Sequence, residues 1–65
     1  MANQTTIEAR LSELEDRISI TELQVARLRV LHRRLVDQDQ DPIRVTYQLR
    51  NLERALATWR AQREA

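Results

Sequence analysis

Sixty-five residues without a cysteine or a glycine, and with a single histidine, leave few ways to hold a small fold together. Disulfides, a thiolate metal site and a histidine-based zinc site within one chain are excluded. The net charge of +1 hides a pattern, and 32% charged residues with mostly aliphatic apolar ones is the composition of long helices or a coiled coil.

A lone domain of about 60 residues buries only about 60% of its unfolded surface, so small chains lean on a staple. With disulfides and metals gone, self-association remains. The sequence reads as one domain over 1–65. No apolar run approaches a membrane span, and Met1 to Thr6 lacks a basic-then-apolar signal layout. The expectation is a soluble, cytoplasmic protein that does not bind membranes.

Met1 to Gln4 reads as a frayed tail. Thr5 followed by Glu8 fits a capping box, in which each side chain satisfies a free backbone amide. From there the spacing predicts helix 1 over about 5–36. Its seam, at alternating steps of four and three, is Ile7, Leu11, Leu14, Ile18, Thr21, Val25, Leu28, His32 and Leu35, seven of nine being aliphatic. That is the a/d pattern of a helix that packs along one side. Glu13 and Arg17 stand four apart in the favourable order for an ion pair. Ser19 to Glu22 holds poor helix formers, but the seam crosses it without a change of phase. From Ile20 onward, Ile20, Leu23, Val30, Leu31 and Val36 lie off the seam. They widen the apolar arc, as in a helix with more than one neighbour.

Asp37 to Asp41 is polar and ends in Asp41-Pro42. Proline disfavours helix at the residue before it. Asp41 as N-cap with Pro42 at the first helical position then starts helix 2, over about 42–63. The seam of helix 2 is Val45, Leu49, Leu52, Leu56 and Trp59. A short link between two amphipathic helices gives an antiparallel hairpin.

Counting outward from the turn sets Val36 against Ile43 and Glu15 against Glu64. Ile7, Leu11 and Leu14 then overhang by about 12 Å, at about 1.5 Å per residue. A second copy is the economical cover, so the fold class is an all-α hairpin that self-associates into a coiled-coil-like bundle, a homodimeric four-helix bundle. Ile7, Leu11, Leu14, Ile18, Val25 and Leu28 are the candidate protein interface.

Charge is blocked along the chain. Residues 1–26 hold Glu8, Glu13, Glu15, Asp16 and Glu22 against Arg10 and Arg17, a balance of −3. Arg27, Arg29, Arg33 and Arg34 follow, and folding back brings Arg44 and Arg50 to the same end. Every basic residue is arginine. These six are the candidate nucleic-acid face, since arginine pairs in bidentate fashion with phosphate. The bland reading is a solvated face with ion pairs inside the bundle. It is favoured by the acidic turn next door and by the lack of interleaved aromatics for stacking on single strands.

His32 on the seam reads as a register-setting polar residue, or as a pH-sensitive core group or half of a metal site across a dimer. Thr21 reads as a register marker and Trp59 as a core anchor or an exposed hot spot. No glycine-rich loop, cysteine nucleophile or oriented histidine points to catalysis. Asp37, Asp39 and Asp41 alternate as in a calcium loop, but its glycine and closing glutamate are missing. No enzyme activity, cofactor or small-molecule substrate is expected.

The run from Ile7 through Leu11, Glu13, Leu14 and Arg17 to Ile18 resembles the opening of the bacterial SlyX family of short coiled-coil proteins. The Asp41-Pro42 turn departs from that family's pattern. The hairpin plan is similar in architecture to the plasmid-encoded Rop family, dimers of helical hairpins that bind paired RNA loops. The leading expectation is therefore a non-enzymatic interaction or assembly protein: a small adaptor, regulator or accessory subunit of a bacterial or phage assembly, with itself and another protein as partners. The alternative is Rop-like RNA binding by the arginines.

Overall fold

Two helices account for nearly all of the computed structural model, which describes residues 4–64. The first, α1, spans Gln4–Asp37, and the second, α2, spans Ile43–Glu64. No strand occurs among the described residues. The helices pack antiparallel into a rod about 56 × 15 × 14 Å.

α1 runs unbroken for 34 residues, straight through Ser19 to Glu22. Gln4 is already helical, so Thr5 lies within the first turn rather than at the N-cap. The expected capping box of Thr5 and Glu8 therefore does not open the helix, and the capping position falls outside the described residues. Of the expected frayed tail, Met1 to Asn3 also lie outside them.

The buried face follows the seam. Ile18, Thr21 and Val25 of α1 are buried, as are Val45 and Leu56 of α2. Leu14, Leu49, Leu52 and Trp59 are half-buried around the Ile18, Val25 and Leu56 cluster. One face of each helix carries the apolar row because steps of three and four keep side chains in line at 3.6 residues per turn. Fully burying one aliphatic side chain is worth roughly 1.5–3 kcal/mol. Four buried apolar residues are therefore a thin core.

Among the described residues, two ion pairs join α1 to α2 on one flank of the seam. Arg29 Nη2 meets Glu53 Oε1 at 3.0 Å, and Arg60 Nη2 meets Glu22 Oε1 at 3.4 Å. Each pair sits three residues further out than counting from the turn would place it. The offset follows from side-chain direction. Helical side chains lean towards their own N-terminus, so in an antiparallel pair the two heads lean in opposite senses along the rod. Arg17 turns to α2 rather than to Glu13, its guanidinium lying 5.5 Å from the centre of the Trp59 ring.

The turn is built from the backbone. Gln40 N–H donates to the Leu35 carbonyl at 2.8 Å and Asp39 N–H to the Val36 carbonyl at 3.1 Å. This 6→1 and 5→2 pairing is a Schellman motif, which needs a left-handed residue at its C′ position. Asp39 fills that position at φ 55°. The chain has no glycine to offer there, and aspartate is among the side chains that tolerate the left-handed region. The stop is thus set three residues ahead of Pro42.

α2 begins as the sequence indicates. Asp41 Oδ1 accepts the Ile43 amide at 3.0 Å, the N-cap bond expected of a carboxylate at this place. The Pro42 carbonyl accepts the Thr46 amide at 2.9 Å and the Thr46 hydroxyl at 3.0 Å.

Candidate interaction surfaces

Helix rotation of about 100° per residue assigns every candidate to a face. Of the six expected interface residues, Ile18 and Val25 are buried between α1 and α2 within one chain. Leu28 is half-buried and lines an open depression with Gln24, Arg27, Gln48, Asn51 and Leu52. Ile7 and Leu11 stand 57% and 43% exposed. Leu14, expected to overhang with them, packs on the core cluster instead and shares a depression with Gln62. The overhang is shorter by one seam position.

The six arginines do not form one patch. Arg27 and Arg34, seven apart, share one side of α1 off the seam, and the Arg27 side chain borders the depression between the helices. Arg29 and Arg33, four apart, lie on the flank where Arg29 pairs with Glu53. Arg44 and Arg50 are exposed on α2. Adjacency in sequence suggested a cluster that the helix divides.

His32 is half-buried on the seam. Among the described residues no group of three or more His, Cys, Asp or Glu side chains is placed to hold a metal ion. None of their helices is long and apolar enough to cross a membrane. Trp59 is half-buried against the core under Arg17.

What the hairpin leaves outside is apolar. Ile20, Leu23, Val30, Leu31 and Val36 are all at least 43% exposed. Ile43 and Tyr47 of α2 are exposed as well. Sequence reasoning saw the α1 residues as a widened arc. It did not resolve that Ile20, Leu23 and Val30 stand on the side opposite the seam, although their three- and seven-residue spacing carries that signal.

Ion pairs inside the bundle were expected, but not the partners of the two interhelical ones. Their signature is a sign change every seven residues on both helices, Glu22 then Arg29 and Glu53 then Arg60.

No family model matches the chain, and neither a curated protein nor a solved structure is significantly similar to it.

Proposed function

We propose that this protein is a non-enzymatic interaction or assembly module, an adaptor, regulator or accessory subunit of the kind found in bacterial or phage assemblies. It works by helix–helix packing and associates with itself, as a dimer forming a four-helix bundle. One observation carries this reading: among the described residues, nine large apolar side chains are exposed while four hydrophobic residues are buried. A monomeric soluble domain rarely leaves contiguous apolar faces uncovered. A two-helix hairpin with so small a core is marginal unless more surface is buried.

Solution mass measured by light scattering over a concentration series tests it. A dimer or larger oligomer is expected, with helicity rising as concentration rises. A monomer that unfolds cooperatively at every concentration would overturn the self-association.

The alternative, RNA binding in the Rop manner, draws support from Arg27, Arg33 and Arg34, which stay exposed and outside both interhelical ion pairs. It predicts retention of RNA that weakens steeply with salt. Retention unchanged by Arg33→Glu with Arg34→Glu would exclude it.

A further inference from the structure

Along α1, on the side away from the seam, runs a second row, Asp16, Ile20, Leu23, Arg27, Val30 and Arg34, of which Arg27 also borders the depression shared with Gln48, Asn51 and Leu52 of α2. All six are exposed, and Ile20, Leu23 and Val30 are 53–60% exposed. The steps along this row are four, three, four, three and four. They read the same in both directions about the level of Val25. A row with that symmetry can pair with a copy of itself around a two-fold axis, each residue meeting a different one.

From this we infer that the back of α1 binds the back of α1 in a second copy of the chain, antiparallel, with Val25 of the two chains at the same level. The inference rests on the self-association proposed above and names its surface. Charge selects the orientation. In the antiparallel pair Asp16 faces Arg34 at each end, Ile20 faces Val30, and Leu23 lies on the aliphatic stem of Arg27. A parallel pair in register would set Asp16 on Asp16, Arg27 on Arg27 and Arg34 on Arg34. Those like charges oppose it, as such contacts do in helical pairs generally. Glu13 and Asp37, next along the row, face each other at the rim, where salt screens them.

The two helices differ in the way this arrangement requires. Between Ile18 and Leu31, α1 is apolar on two opposite sides, the pattern of a helix between two neighbours. The outer side of α2 is polar beyond Tyr47, with Arg50, Arg54 and Thr58. The dimer is therefore a four-helix stack with the two α1 helices inside and the α2 helices outside. Ile7 and Leu11 remain free at both ends.

The test is sedimentation equilibrium of the full chain and its variants, with circular dichroism to confirm helicity. Leu23→Asp should weaken dimerisation at least tenfold and leave the hairpin helical. Asp16→Arg and Arg34→Glu should each weaken it, and the two together should restore it to within a few-fold. Because the chain has no cysteine, orientation has an independent readout. Chains with Ile20→Cys mixed with chains carrying Val30→Cys should oxidise to a mixed dimer faster than either alone. A dimer insensitive to Leu23→Asp but broken by Leu11→Asp would overturn this surface and keep self-association. A failed charge-swap rescue, or faster cross-linking of Ile20→Cys with itself, would overturn the antiparallel register. A wild-type monomer at all concentrations would remove both.

Discussion

The Arg29 guanidinium meets the Glu53 carboxylate at 3.0 Å across the helix interface, although 24 residues separate them in sequence. Glu22 and Arg60 repeat the contact one heptad away with the signs exchanged. Sliding α2 by seven residues would bring Arg60 to Arg29 or Glu53 to Glu22. The alternation thus disfavours both neighbouring registers as well as favouring the native one. All four side chains are 46–66% exposed, so each pair is worth about 0.2–1 kcal/mol. Glu53→Arg should lower stability by about that much or slightly more, and adding Arg29→Glu should recover most of it. Urea melts of the single and double variants give the coupling. Additive losses would show that the pair has no part in setting the register.

Ile18 and Ile7 occupy the same seam and have opposite environments, 2% and 57% exposed. Ile18→Ala should cost about 2–4 kcal/mol, the range for a large-to-small change in a packed core. Ile7→Ala should stay within about 0.5 kcal/mol, as surface substitutions do. Chemical denaturation in dilute solution distinguishes them. Equal losses would mean that Ile7 is covered in solution.

Asp39 holds a left-handed conformation that glycine adopts without cost. It also places a negative charge at the negative end of the α1 dipole. Asp39→Gly should raise stability by about 0.5–1 kcal/mol, read as a higher midpoint in thermal or urea unfolding. A lower midpoint would show that the aspartate side chain makes a contact in solution that outweighs its backbone strain.

Asp41 closes the other side of the turn through its bond to the Ile43 amide. Asp41→Ala should cost about 0.5–2 kcal/mol, and Asp41→Asn or Asp41→Ser much less, since those side chains also cap. Stability unchanged in Asp41→Ala would mean that water replaces the cap at no loss.

The hairpin was legible because its signals are periodic. Ile18, Val25 and Leu56 recur at three- and four-residue steps within their seams, and no other element type accepts that spacing. Asp41-Pro42 marks the α2 start by local chemistry alone. The end of α1 was less legible. A Schellman turn is normally betrayed by glycine, and Asp39 offers no such mark. The arginines show the limit of adjacency: Arg27, Arg29, Arg33 and Arg34 are neighbours along the chain, but helical rotation sends them to two sides. Leu14 was assigned to the overhang because sequence allows only backbone levels to be counted, and its packing on the core cluster cannot be counted that way. The back row of α1 was visible as excess apolar content. Its symmetry about Val25 emerges only once the buried side is fixed and the remaining residues can be ordered on the other.

The Schellman turn also dictates an order of events. Contacts beside it, such as those of Val45, close the shortest loops and carry the smallest entropic cost. The Ile18 and Leu56 contact closes one several times longer. Assembly that proceeds outward from Asp39 therefore meets the least opposition at each step, and a topology of this local kind folds in microseconds to milliseconds. The strain at Asp39 then acts on the rate of folding, and the packing of Ile18 on the rate of unfolding. In stopped-flow or temperature-jump chevrons, Asp39→Gly should lift the folding arm and Ile18→Ala the unfolding arm. The residue that bends the chain would govern how fast the rod forms, and the residues far from the bend how long it lasts.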